Sequence, residues 1–397
     1  MSNGASQNPR GHGRPQNSAQ AAARSQALAG AQGASRTSGQ DAPQGEAGGR
    51  TFYLDILRCL SIFAVVLMHS AMPLLGRVDS PTHLWAGLTY SSLCIFCVPV
   101  LLMISGALML SDVRPMDTLT FYKRRLSKIV IPLLIWSVIY YLVTCLMEGS
   151  TVNVISFLKR MLASMWAGPL WFLYMIAGVY LMAPFLKPAF ADPRSARTWA
   201  FVAVIFGVQT LGFVVKFLWS QELNRFFTGA VFPYYFGYFV LGYALNATPV
   251  RVPGGRPALL AAFLLPAACL AVGEYQAHVS ESLVPNLFFN YQGPLAALMS
   301  VAVFLLFKGW ASSQGGRWAT LLHTVSGLTY GVFLSHILVM LVLAGGIPLF
   351  FMPGNGLDAN TINPWVGPLL TAITTFVLSG LLTYALRRLP LLKHAIP

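Results

Sequence analysis

Charge is what this chain has least of. Asp, Glu, Lys and Arg together make up 10% of it, where soluble domains average about 25%. A soluble protein so poor in charge would have no face to turn to water, so lipid is the solvent that fits. Acidic residues are the scarcer half: 12 against 26 Lys and Arg, a formal net charge of +14. In a soluble protein that excess would suggest nucleic acid. Here the basic residues fall between apolar segments, where they act as topology signals, and no nucleic-acid partner is expected. Cysteine is also sparse. Cys59, Cys94, Cys97, Cys145 and Cys269 lie in or beside apolar runs and read as buried thiols. The Cys94–Cys97 spacing resembles half a zinc site, but no second pair accompanies it, so no metal is expected.

What the chain does have is apolar length. Hydrophobic residues are 56% of its 397, and the mean hydropathy is +0.63. Residues 1–50 stand apart. They are rich in Gly, Ala, Ser and Gln, carry no apolar run, and read as a disordered tail. No signal peptide is expected, since no apolar segment precedes residue 52. Ten runs of near-spanning length follow, at 52–73, 86–110, 129–147, 169–187, 198–218, 231–247, 257–273, 289–308, 325–349 and 364–386. Basic residues crowd alternate connections. Only Arg77, Lys159, Arg160 and Arg225 fall on the opposite side, and Arg58 and Lys216 lie within spans. The pattern predicts an all-α polytopic transmembrane bundle with both termini cytoplasmic. Its membrane domain covers 51–390, with a short tail at 391–397.

Two residues in the first span do not belong in lipid. Arg58 and His69 are expensive there, face the bundle interior or a cavity, and are functional candidates by default. Eleven residues at 100° each make three turns plus about 20°, so both lie on one helix face, roughly 16 Å apart along the axis. They line one path without touching. Asp55, one turn before Arg58, is placed to pair with it. The plainer alternative has Arg58 reaching back to the membrane interface and His69 bonded to a neighbouring helix.

A set of motifs in chain order now carries a resemblance. Tyr53-Leu-Asp55 precedes an arginine and, after ten residues, a histidine. Val98-Pro-Val-Leu-Leu-Met-Ile-Ser105-Gly106 lies in the second span. A basic segment, Phe121-Tyr-Lys123-Arg124-Arg125-Leu-Ser-Lys128-Ile-Val-Ile-Pro132, leads into the third. Leu170-Trp171-Phe-Leu-Tyr174 opens the fourth, and Ser326-Gly-Leu-Thr-Tyr330-Gly-Val-Phe-Leu-Ser335-His336 comes late. Over residues 52–390 the chain resembles the acyltransferase 3 family, in the branch similar to O-acetyltransferases of enterobacterial surface polysaccharides.

The resemblance implies a multi-pass enzyme of the bacterial inner membrane. It would move an acyl group, usually acetyl, from cytoplasmic acyl-CoA to a hydroxyl of a cell-envelope glycan or its lipid-linked precursor. No permanently bound cofactor is implied; acetyl-CoA is a substrate. The chemistry agrees. Sugar O-acylation needs a base near neutral pH, which suits His69 as base or acyl relay, with Arg58 on the donor side. CoA is polyanionic, so Lys123, Arg124, Arg125 and Lys128 are expected either to cradle it or to serve only as a topology anchor. Trp171 is either an interfacial aromatic or a sugar platform, His336 either a mid-membrane substrate contact or a structural residue, and Glu274 an outer residue either for sugar hydroxyls or simply solvated, in a segment expected at 274–288. A transporter or flippase for a lipid-linked sugar is the alternative from another class. It would bury the same Arg and His, but would more often show matched broken spans, which are not seen here. A membrane scaffold makes no demand for Arg58 and His69 on one face.

Overall fold

Apolar runs in lipid must satisfy every backbone polar group internally, which leaves helices as the economical answer. The computed structural model describes residues 44–112, 117–163, 165–224, 235–279, 287–308, 316–345 and 363–389, and these are helical with no strand among them. In chain order the helices are α1 Gln44–Leu75, α2 Pro81–Cys94, α3 Cys97–Met109, α4 Thr118–Glu148, α5 Val154–Ala163, α6 Trp171–Leu186, α7 Ala196–Trp219 and α8 Tyr235–Ala247. Then come α9 Gly255–Val279, α10 Pro294–Lys308, α11 Arg317–Leu343 and α12 Gly367–Arg388.

Eight helical segments among the described residues are long and apolar enough to cross a membrane. The chain is a polytopic helical membrane protein. The other two expected spans, 231–247 and 289–308, fall on the shorter helices α8 and α10. The remaining differences are local. The span expected at 86–110 is two helices, starting at Pro81 and broken at Ile95 and Phe96. The basic run 123–128, expected as a connection, is helix: it lies within α4, on and just after a π-helical turn at Tyr122–Leu126. The outer segment expected from 274 starts later, because α9 runs on to Val279. Residues 1–43, most of the expected tail, and Glu281 lie outside the described residues.

Lipid tails are as apolar as leucine, so packing and close approach, rather than water exclusion, hold such helices together. The α3–α8 contact is built this way. A Cβ on Gly106 would sit 1.7 Å from the Phe239 carbonyl oxygen, and one on Gly242 would sit 2.1 Å from that of Met103. Only glycine permits these two backbones to touch. Gly106 of the Ser-Gly motif is therefore a packing residue. Trp136, Tyr238, Phe239 and Phe304 are fully buried in the same core cluster. Leu264 and Leu265 of α9, and Val377 and Leu381 of α12, are exposed apolar residues of the kind that face lipid.

Candidate functional site

Three helices far apart in sequence run parallel and define the site. The Tyr330 hydroxyl of α11 donates to the Lys128 carbonyl of α4, and further along the Tyr140 hydroxyl of α4 donates to the Leu334 carbonyl. On α1, Asp55 and Arg58 meet Ser326 of α11, and His69 meets His336. Partner numbers rise together along all three helices. The residues that open each helix therefore share one end, and the two histidines lie deeper.

At the opening end, Arg58 Nη1 donates to Asp55 Oδ1 at 3.1 Å and to Ser326 Oγ at 3.0 Å. The Ser326 hydroxyl donates in turn to Asp55 Oδ1 at 2.7 Å, and His323 Nδ1 lies 3.1 Å from Asp55 Oδ2. A closed ring of hydrogen bonds fixes the guanidinium. Asp55 holds Arg58 from one turn away on α1, and α11 locks both. His323 and Ser326 were not singled out as site residues in the sequence. Ser326 opens the late motif that ends in His336, and His323 lies one turn before it.

Arg58 borders a cavity of about 360 Å³. Arg125 and Lys128 of α4 join it at the same end, and Ile62, Phe172, Tyr180 and Phe333 line it further in. Lys123 and Arg124 do not line it and are exposed. A π turn shifts side-chain register relative to an α-helix and recurs at functional sites. Arg125 is also ion-paired with Asp112 at 3.6 Å. The cavity thus has a basic mouth and an apolar, aromatic throat.

Beyond the throat stand the two imidazoles, 5.1 Å apart between ring centroids and edge to face. His69 Nδ1 donates to the Val65 carbonyl at 2.7 Å, and His336 Nδ1 donates to the Phe333 carbonyl at 2.6 Å. A carbonyl only accepts, so each Nδ1 carries the proton and each Nε2 of the neutral ring keeps its lone pair. His336 is 0% exposed, and its Nε2 has no hydrogen-bond partner. His69 is partly exposed, and its Nε2 has none among the described residues. The sequence placed His69 on the Arg58 face. Nothing in it announced that α11 would set His336 against it.

Trp171 turns inward. It stacks on Tyr291 at 5.8 Å and meets Tyr235 at 5.6 Å. The Tyr291 hydroxyl donates to Met68 Sδ at 3.3 Å, one residue from His69. Trp171 therefore stands on the histidine side of the cavity. Glu274 does not reach this centre by any contact described. It is 0% exposed within α9, where its Oε2 accepts from the Phe288 backbone N–H at 3.0 Å. Its other oxygen lies 3.6 Å from His278 Nδ1, so Glu274 is a buried brace in α9 and not the outward-facing residue expected.

The cavity thus has basic groups at one end, and two of its helices, α1 and α11, carry the paired imidazoles further along. No curated protein and no solved structure is detectably similar to the chain. A family model does match, that of an acyltransferase domain, over residues 51–384. The chain belongs to the acyltransferase 3 family and is a multi-pass membrane acyltransferase.

Proposed function

We propose that the protein takes an acyl group, acetyl first, from cytoplasmic acyl-CoA and delivers it to a hydroxyl of a cell-envelope glycan or lipid-linked precursor in the bacterial inner membrane. One observation carries the reading: Arg58, Arg125 and Lys128 open a single cavity whose helices α1 and α11 continue to the two histidines. Guanidinium and ammonium groups bind phosphate by charge-assisted hydrogen bonds, which suits the nucleotide end of CoA. The apolar throat suits the uncharged arm and its thioester. Arg58 lies roughly 16 Å short of His69 along α1, so it serves the donor's position, while His69 serves the chemistry.

His69 Nε2 is free to take the acceptor's hydroxyl proton or to carry the acyl group. As the alcohol oxygen bonds to the acyl carbon, the carbon–sulfur bond breaks and CoA leaves as thiolate toward the basic mouth. Trp171, beside Tyr291 and Met68, is the aromatic surface nearest the acceptor's side. The test is mass spectrometry of envelope glycans from cells with and without the protein, paired with free-CoA release by the purified enzyme. One acyl mass lost with the gene, and CoA released with acceptor present, support the reading. Unchanged glycans without CoA release would favour the flippase.

A further inference from the structure

We propose that His336 is the residue that carries the acyl group, and that His69 is the base that delivers it. This rests on the acyl-CoA reading above and divides it into two half-reactions, each with its own imidazole. The two rings share a tautomer but not a setting. His336 is sealed, 0% exposed, while His69 is partly open. His336 also adjoins the donor cavity more closely. It follows the cavity-lining Phe333 by three residues, about 4.5 Å along the axis, and the two rings lie 6.0 Å apart. His69 follows its own cavity-lining neighbour Ile62 by seven residues, about 10 Å.

A buried ring nitrogen with no partner is costly, and native folds rarely keep one without a use. His336 Nε2 suits a nucleophile: its lone pair is fixed by the bond from Nδ1 to the Phe333 carbonyl, it has no proton to lose first, and burial shields its product from bulk solvent. A base that must exchange protons with the outside suits the partly open His69 instead.

The steps balance. His336 Nε2 bonds to the thioester carbon, the carbon–sulfur bond breaks, and CoA leaves as thiolate past Arg58, Arg125 and Lys128. The acyl-imidazolium left behind keeps its Nδ1 proton on the Phe333 carbonyl. The acceptor hydroxyl then gives its proton to His69 Nε2 as its oxygen bonds to the acyl carbon, and the carbon–nitrogen bond breaks. His336 returns neutral, and the proton leaves from His69 with the ester. Donor and acceptor need never occupy the centre together.

The experiment needs no acceptor. The purified full chain in nanodiscs is given acetyl-CoA and isotopically labelled CoA, and label entering acetyl-CoA is followed. Wild type is expected to exchange. His69→Gln is expected to lose transfer to glycan yet go on exchanging, and His336→Gln to lose exchange by at least 100-fold while still binding desulfo-CoA. His336→Asn serves as a second variant, and in wild type quenched after acetyl-CoA the acetyl mass should map to the peptide holding His336. Exchange that survives in His336→Gln, or an acetyl mass on His69, overturns the assignment. Wild type that transfers acetyl to glycan without any exchange also overturns it and leaves the proposed function standing. Wild type that binds no desulfo-CoA sinks both.

Discussion

Replacing Asp55 with asparagine keeps the side chain's shape and removes only its charge. The carboxylate accepts from Arg58 at 3.1 Å and from Ser326 at 2.7 Å on the same oxygen, Oδ1, so the amide oxygen can keep both bonds while the ion pair and the Oδ2 acceptor facing His323 are lost. A hydrogen bond to a charged group contributes about 1.5–3 kcal/mol. The Arg58 side chain is 33% exposed, so water screens the pair and the lower end applies, about 1.5 kcal/mol. If that energy is what holds the guanidinium at the cavity mouth, donor affinity falls by about tenfold. Asp55→Ala also leaves Ser326 without its acceptor and should fall further. The assay is desulfo-CoA binding to purified protein in nanodiscs, with monodispersity as the folding control. Ser326→Ala, which removes one Arg58 contact but no charge, should cost less than either. Wild-type donor affinity in well-folded Asp55→Ala would refute the idea that this ring of bonds sets the donor site.

Four other outcomes follow from the same structure. His69→Ala should lower acyl transfer by at least about 100-fold, the lower bound for removing a general base, with desulfo-CoA binding near normal. Arg125→Gln and Lys128→Gln, which line the cavity, should weaken desulfo-CoA binding, whereas Lys123→Gln and Arg124→Gln should not; equal effects from all four would return the run to a topology anchor. Gly242→Ala puts a methyl group 2.1 Å from the Met103 carbonyl and should cost about 1–3 kcal/mol or the folded yield, read as melting temperature, while Gly178→Ala, with nothing within 4 Å, should be neutral. Cysteine introduced at 281 should react with an impermeant label added outside, and cysteine at 255 should not; the reverse pattern would invert the bundle.

The spans were legible because lipid imposes one requirement, apolar length, that hydropathy reads directly. Arg58 and His69 were legible for the converse reason: polar groups in such a run stand out, and 3.6 residues per turn puts them on one face. The partner of that face was not legible. Ser326 lies 268 residues from Arg58, and no local pattern names which of many helices will meet which. The basic run hid its division of labour, because charge alone cannot show that a π turn sends Arg125 into the cavity and leaves Arg124 outside. Glu274 misled for a related reason. A carboxylate near the end of an apolar run reads as solvated, yet one more turn of helix and a loop N–H from Phe288 bury it completely.

The pairing of α1 with α11 has a consequence for how the protein is made. Asp55, Arg58 and His69 enter the membrane with the first helix, and Ser326 and His336 are synthesised some 268 residues after Arg58. At about 5–20 residues per second that is a wait of roughly 13–54 s. Throughout it the ion pair of α1 has no serine to close its ring, and neither a donor cavity nor a second imidazole exists. On the proposed function, a nascent or truncated chain would bind lipid without consuming acyl-CoA. Activity would then arrive only when α11 inserts, and the late helix would act as an assembly checkpoint against half-built copies.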